Sequence, residues 1–329
     1  MAKRRQSVAS TVNENTSRHN LLVRVARLYY LCNLTHQEIA SQEGMSRIKV
    51  TRLLKEALDR KIVEFHIKDP LVATLELEDE MQRAFSLRRV ILTPNPVQEA
   101  DYYDILGRFA ADCLQRELKN GMRIGIGWGR TLNGMLPYLG KGKHNGLHVV
   151  SLTGGLAANQ LQPNPYDVAS AMAQRIGATP HYPIVPIVVE SRKVRDLLMQ
   201  ERKIQEIVEQ WKRIDIALMS IGVIAADTGL YYSFPDPAAE AERVRELGAV
   251  GDILAAPYDL QGNFLETGFL DRMIRIDMED LKRIPLVAGI AGGPRKVQAI
   301  LGGLRTGCLN ALVTDERTAR QVLELSKKQ

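Results

Sequence analysis

The 329-residue sequence predicts an α/β protein in two parts, a small, mainly helical unit followed by a larger unit built on a mostly parallel sheet. Three observations predict it. Excess positive charge is confined to the first fifth of the chain. From about residue 89 onward, apolar stretches of strand length alternate with amphipathic stretches of helix length. Glycine-rich turns stand at the carboxyl ends of three of those strands.

Composition sets the limits. Apolar residues make up 45% and charged residues 25%, the balance of a globular chain able to bury a core. No apolar run approaches the ~20 residues a membrane span requires. A polar stretch follows the basic start at Met1–Arg5 where an export signal would be apolar, so a soluble, cytoplasmic protein without a membrane partner is expected. Cys32, Cys113 and Cys308 are far apart and lack metal-ligand spacing, so neither a metal nor a disulfide is expected. Net charge is +6, but residues 1–68 hold 13 Lys and Arg against 6 Asp and Glu, while the remainder holds 31 against 32. A basic module joined to a neutral one points to a polyanion partner for the first part, because neutralising phosphates releases condensed counterions.

Taken in order, residues 1–18 are polar and charged and read as an arm. Leu21, Leu22, Val25, Leu28 and Tyr29 recur at helical spacing and predict a first helix over 20–32. Thr35 and Glu38 have the spacing of a capping box, which starts a second helix with Ile39 and Ala40 inward. Gly44 suits the positive φ of a helix end. Ser46 is an N-cap for a third helix running to about Arg60, with Val50, Leu53, Leu54, Ala57 and Leu58 on one face. Two short helices joined by a tight glycine turn, the second with a basic outer face, form a helix-turn-helix whose second helix enters the major groove. Ser46, Arg47, Ile48, Lys49, Thr51, Arg52 and Lys55 are therefore the candidate DNA-contacting residues. Arginine can bridge guanine, Ile48 can touch a thymine methyl and lysine can meet phosphate. Ile62–Lys68 alternates apolar and polar residues like the strand of a wing, making the unit winged-helix-like. The helix-turn-helix domain thus spans 19–69, and a linker helix is expected over 70–88.

The remainder, 89–329, predicts a Rossmann-like sheet with helices on both faces. Strands are expected near Arg123–Gly127, Leu147–Leu152, Ile184–Val189, Ile214–Ile221, Leu286–Ile290 and Leu309–Val313. Helices are expected at Tyr102–Lys119, Tyr166–Arg175, Val194–Trp211, Ala238–Leu247, Arg295–Leu304 and Glu316–Leu325. Open α/β sheets bind ligands beyond the carboxyl ends of their strands. The turns there are Gly125-Ile126-Gly127-Trp128-Gly129-Arg130-Thr131, Thr153-Gly154-Gly155, and Gly292-Gly293-Pro294-Arg295-Lys296. Free amides, a hydroxyl and cations at such turns suit an anion. The dinucleotide fingerprint fails because Arg130 stands at its third glycine, and no phosphate-loop Gly-Lys-Ser/Thr occurs, so no cofactor is expected. Asp252 stands out among the acidic residues suited to ligand hydroxyls, with Asp227, Asp259 and Glu266 as further candidates; His148 and His181 read as packing or surface residues.

At these residues the sequence resembles the SorC family of sugar-binding transcriptional regulators, which includes DeoR-type regulators. The likeness runs over nearly the whole chain. It rests on the helix-turn-helix Leu34–Arg60, on Gly125–Thr131, Leu152–Gly155, Gly251–Ile253, Ala291–Lys296 and Leu312–Glu316. The resemblance implies an effector domain related in fold to glucosamine-6-phosphate deaminase and ribose-5-phosphate isomerase, a phosphorylated sugar or polyol as effector, and a homo-oligomer, dimer or tetramer. It also implies that Gly125, Gly127, Trp128, Gly129, Arg130, Thr131, Gly292, Gly293 and Lys296 hold phosphate and hydroxyl oxygens. Thr153, Gly154, Gly155, Asn164 and Asp252 would line the rest. Some deoxyribose-phosphate-sensing members carry a lysine that forms a Schiff base where this chain has Thr153, so a covalent effector is not expected.

The expected function is a regulator that binds a double-stranded operator and responds to a small-molecule effector. The rival is a sugar-phosphate isomerase or deaminase with an accessory DNA module. Proton shuttling needs a poised acid or base beside a second one, and no such pair is fixed by spacing, so no catalysis is expected.

Overall fold

The computed structural model describes residues 17–65, 70–142, 144–156, 164–226, 228, 231, 234 and 236–328. The chain divides into two units, Met1–Asp69 and Pro70–Gln329.

The first unit holds helices α1 (17–30), α2 (His36–Gln42) and α3 (Arg47–Asp59). Leu22, Val25, Ile39, Val50, Leu53, Leu54 and Ala57 form its core. The chain enters α2 through a complete capping box: the Thr35 hydroxyl accepts from the Glu38 amide at 3.3 Å and the Glu38 carboxylate accepts from the Thr35 amide at 2.7 Å. Gly44 has φ +59° between α2 and α3, and Ser46 Oγ caps α3 by accepting from the Lys49 amide at 3.2 Å. Two expectations need correcting. Leu58, expected inside, is exposed at the end of α3. No strand forms over 62–65, because the amides of Ile62 and Val63 both bond back to the Ala57 carbonyl, at 2.9 and 3.3 Å, and so close the helix end instead of joining a ladder. The rest of the expected wing, 66–68, and residues 1–16 of the expected arm lie outside the described residues.

The second unit begins with α4 (Pro70–Phe85) and, among the described residues, carries a sheet of nine strands. Seven run parallel: β1 (Arg89–Thr93), β2 (Arg123–Ile126), β3 (His148–Ser151), β4 (Thr179–His181), β5 (Ile216–Gly222), β8 (Leu286–Ile290) and β9 (Ala311–Asp315). Their order is β1-β9-β8-β5-β2-β3-β4. A hairpin of β6 (Gly251–Ile253) and β7 (Ala256–Tyr258) pairs antiparallel with the end of β5, placing Gly222 opposite Asp252.

Alternation along each strand separates two cores. On β5, Ile216 and Leu218 face one side while Ala217, Met219 and Ile221 face the other. The first side is covered by α5 (Asp101–Glu117), α6 (Arg130–Met135) and α7 (Pro165–Ile176) through Leu106, Leu132, Met135, Val168 and Met172. The second is covered by α4, α9 (Arg202–Trp211), α12 (Val297–Arg305) and α13 (Glu316–Lys327) through Met81, Trp211, Ile300, Leu301 and Val322. Also present are α8 (Arg192–Gln200), α10 (Pro237–Glu246) and α11 (Met278–Lys282).

The helix expected over 194–211 is two helices, broken at an extended Glu201 with ψ 132°. The break frees α9 to bury Ile204 and Trp211, whose indole N–H donates to the Ser151 carbonyl at 2.8 Å. The strand expected at Ile184–Val189 is reduced to isolated bridges at Pro186 and Val188, since Pro183 and Pro186 lack the N–H a ladder needs. The regular edge strand is β4, just before it.

Candidate functional site

The chain runs from β2 outward through β3 to β4, then returns to lay β5 on the other side of β2. The strand order therefore reverses between β2 and β5, the place where open α/β sheets form a ligand crevice. A cavity of about 310 Å³ opens there, large enough for a monosaccharide-sized ligand. Its walls come from segments remote in sequence. Trp128–Thr131 follows β2, Ser220–Gly222 ends β5, and Gly292–Lys296 follows β8. Asp252 and Leu254 reach in from the hairpin, Glu99 from the β1–α5 connection, Tyr102 from the first turn of α5, and Arg317 from the start of α13.

Backbone geometry shapes these walls. Gly129 has φ +126°, and a Cβ there would stand 3.0 Å from Ser220 Oγ. Gly222 is required more strictly, since a Cβ would stand 1.8 Å from Asp252 Oδ1. The hairpin turns through Leu254 and Ala255, at φ +50° and +58°. Left-handed backbone at two residues with side chains costs on the order of 1–3 kcal/mol each, and such strain clusters at ligand sites. The Ala255 amide offsets part of it by donating to Asp252 Oδ2 at 3.0 Å.

Electrostatics centre on Asp252 and Lys296. Burial pushes the Asp252 carboxyl up to about 6, against the opposing pull of Lys296 and the Ala255 amide. Burial pushes the Lys296 ammonium down to about 8; Asp252 resists this, and Arg130 and Arg295 add to it. The Lys296 ammonium donates to the Ile221 carbonyl. Four basic residues (Arg130, Arg295, Lys296, Arg317) face two acidic ones (Glu99, Asp252) around the cavity, a field that favours an anion. Arg130 lies over the Tyr103 ring at 4.8 Å, and Arg295 pairs loosely with Glu99 at 3.7 Å. The first-turn amides of α6, beginning at Arg130, have no intrahelical acceptor.

Of the residues expected at an effector site, Trp128, Gly129, Arg130, Thr131, Asp252, Gly292, Gly293 and Lys296 line this cavity. Gly293 does so without a free amide: its N–H donates to Asp315 Oδ2 at 3.0 Å and Thr318 Oγ1 at 2.8 Å, fastening the turn to the start of α13. The others lie elsewhere for packing reasons. Gly125 sits inside β2 against Leu152 and Ile214, and the Gly127 amide is taken by the Leu218 carbonyl at 2.9 Å. Thr153 bridges Arg275. Gly154 and Gly155 admit the Pro186 backbone and the Tyr166 ring at distances no Cβ would allow. Asn164 caps α7, accepting from the Tyr166 amide at 3.0 Å and donating to the Leu156 carbonyl at 2.7 Å. Asp259 binds its own loop, accepting from the amides of Gln261 and Asn263, and neither it nor Glu266 lines the cavity. Asp227 lies outside the described residues. His148 and His181 hydrogen-bond each other at 2.8 Å on β3 and β4.

Sequence reasoning missed Glu99, Tyr102, Ser220 and Arg317. Ser220 had a legible signal, a lone hydroxyl in the apolar run Ile216–Ile221 at a strand end. Glu99, Tyr102 and Arg317 had none, because only the placement of β1 beside β9 brings them near.

In the first unit, Arg47, Ile48, Lys49, Thr51, Arg52 and Lys55 are all exposed along α3. Among the described residues none of the four cations is ion-paired, whereas Arg18, Arg24 and Arg60 pair with Glu56 or Glu43. Thr51 Oγ1 donates to the Arg47 carbonyl at 3.1 Å. An open depression between α2 and α3 is lined by His36, Gln37, Ser46, Arg47, Ile48 and Thr51.

Among the described residues no helix is long and apolar enough to cross a membrane, and no group of three or more His, Cys, Asp or Glu is placed to hold a metal. The model of the Sugar-bind family, a sugar-binding domain, matches residues 69–324. The erythritol catabolism regulatory protein EryD of Brucella abortus (strain 2308) is 30% identical over 306 residues, 92% of this chain and 96% of that one. The deoxyribonucleoside regulator of Bacillus subtilis (strain 168) is 28% identical, over 93% of this chain and 98% of its own length. The crystal structure of the full-length sorbitol operon regulator SorC from Klebsiella pneumoniae superposes with a TM-score of 0.70 at 26% identity, covering 92% of this chain and 98% of that one.

Proposed function

The chain belongs to the Sugar-bind family of SorC-type transcriptional regulators, and from that premise we propose that a phosphorylated sugar or polyol, bound in the cavity between β2 and β5, sets its affinity for operator DNA. The cavity carries the reading. It sits at the reversal of strand order, is ringed by Arg130, Arg295, Lys296 and Arg317, and holds a buried carboxylate at Asp252. The cationic side suits the phosphate; Asp252 and Lys296 suit hydroxyls. The relatives' names support the class of ligand, one concerning erythritol and another deoxyribonucleosides.

Ser46, Arg47, Ile48, Lys49, Thr51, Arg52 and Lys55 would meet the operator, α3 lying in the major groove. The effector acts by binding one arrangement of a homo-oligomer, dimer or tetramer, better than another, since only differential affinity can move such an equilibrium. The protein acts without cofactor or turnover, in the cytoplasm where its operator lies.

A thermal-shift panel of phosphorylated and free sugars and polyols tests this, because a ligand at ~100 times its Kd adds ~2.7 kcal/mol to the folded state. The expected result is a shift by phosphorylated members that also changes the operator footprint. A panel that leaves both unchanged overturns the reading. One observation favours a second reading, an enzyme: Asp252 pushed up and Lys296 pushed down face the same cavity, as an acid and base pair would. Isomerisation or deamination of a panel member by the purified protein would carry it.

A further inference from the structure

Two of the four cations around the cavity are already engaged by the protein: Arg295 is drawn to Glu99, and the Lys296 ammonium donates to the Ile221 carbonyl. Arg130 is held differently. Among the described residues it has no ion pair and no side-chain hydrogen bond, and its guanidinium carbon lies 4.8 Å from the centre of the Tyr103 ring. Both residues line the cavity, and the Arg130 charge reaches Lys296, adding to the depression of that ammonium.

The pairing follows from how α5 and α6 pack. Their backbones touch where two glycines meet: a Cβ on Gly107 would stand 2.5 Å from the Gly134 carbonyl carbon, and one on Gly134 would stand 2.4 Å from the Tyr103 carbonyl oxygen. Tyr103 lies one helical turn before Gly107, and Arg130 one turn before Gly134, so each shares a face with the glycine of its own helix. The close crossing therefore brings ring and guanidinium together. A carboxylate in place of the ring would neutralise Arg130 and occupy its N–H groups. A ring face holds the charge through its quadrupole and takes none of those donors, which stay free for a ligand oxygen. A planar guanidinium held in advance also loses less freedom when it clasps a phosphate through two parallel hydrogen bonds.

We infer that Tyr103 is a positioning residue: its ring pre-sets Arg130 so that the guanidinium meets the phosphate of the effector. The assignment rests on the phosphorylated sugar or polyol reading above and deepens it. The phosphate lies at the α5–α6 side of the cavity, and Asp252 on the hairpin is left to the hydroxyls. Loss of the ring weakens a phosphate ester and spares its unphosphorylated counterpart.

Full-length wild type, Tyr103→Phe, Tyr103→Leu, Arg130→Ala and the double variant are compared by calorimetric titration. The ligand is whichever of erythritol 4-phosphate, ribose 5-phosphate, fructose 6-phosphate, glucose 6-phosphate and sorbitol 6-phosphate raises the wild-type melting temperature most, together with its unphosphorylated counterpart. Tyr103→Phe keeps the ring face and should bind the phosphate ester as wild type does. Tyr103→Leu should bind it roughly two- to fivefold more weakly, the worth of an exposed cation–π contact. In the double variant Tyr103→Leu should add nothing to the loss caused by Arg130→Ala, which marks a residue acting through the guanidinium. A tyrosine serving only the fold would lower the melting temperature and leave affinity as it was, so equal affinity of Tyr103→Leu and wild type overturns the assignment. An equal loss with and without Arg130 overturns it too, as does an equal loss for the unphosphorylated counterpart. Weakening by Tyr103→Phe would make the hydroxyl itself the contact and overturn it as well. Tyr103→Met serves if Tyr103→Leu does not fold. If no compound shifts wild type, the sensor reading itself fails, a result distinct from a phosphate ester that binds wild type and Tyr103→Leu alike.

Discussion

Replacing Asp252 by Asn should make the free protein more stable while blunting its response to effector. The carboxyl is 6% exposed and accepts the Ala255 amide, and its value in the fold is about 6. An ordinary aspartate titrates near ~3.9, so charging Asp252 inside the fold costs, at pH 7, on the order of 3 kcal/mol relative to the unfolded chain. A raised carboxyl favours the fold when protonated. Its contribution is therefore fully present below about pH 4 and is lost as pH rises through about 6. Asparagine has the shape of the protonated acid and retains an oxygen for the Ala255 amide. Thermal unfolding of the full chain at pH 7 should then rise by roughly 5–10 °C, and the decline in stability between about pH 4 and 6 should flatten. Effector affinity should fall, because an ionised acceptor for a ligand hydroxyl has been removed. A melting temperature lowered by the substitution, or a pH dependence identical to wild type, would refute the reasoning. In that case Lys296 would be compensating Asp252 fully.

Arg52→Ala should weaken operator binding by about 1–3 kcal/mol if the guanidinium reads a base, or lower the salt slope by about one if it meets phosphate, with effector-induced thermal shifts unchanged. Competition footprinting across salt concentrations distinguishes the two, and equal loss of DNA and effector binding would contradict the separation of roles. Gly222→Ala places a methyl 1.8 Å from Asp252 Oδ1, so the buried Asp252 side chain must shift. Overpacking of this kind costs about 1–3 kcal/mol, and denaturant unfolding should show it together with loss of effector response, whereas DNA binding by α3 should survive.

Much of the fold was legible because its determinants are local. Thr35, Glu38, Gly44 and Ser46 each act within one helical turn, so their spacing alone located α2 and α3 and left the basic face of α3 outward. The strands β5, β8 and β9 could be read as apolar runs because burial on both faces leaves few polar interruptions. Failures came where one residue type serves two purposes. Gly125, Gly154 and Gly155 occupy ligand-like turns, yet they are there because backbone, Leu152 or Tyr166 leave no room for a Cβ. The β6–β7 hairpin gave no warning, since its left-handed turn is made by Leu254 and Ala255 instead of the glycine or asparagine that would announce it.

By itself the sequence determined a basic helical unit at the start of the chain, a mostly parallel sheet after it, and Gly129, Asp252 and Lys296 as candidates for a ligand site. Tertiary structure alone decided which of these meet. Laying β5 beside β2 and β1 beside β9 brings Ser220, Tyr102 and Arg317 to one crevice, and a hairpin seated on β5 buries Asp252 near Lys296. The physical reason is separation along the chain. A cap or a helical face is set by residues three or four apart, whereas strand order is fixed by the mutual burial of distant faces, which no local spacing encodes.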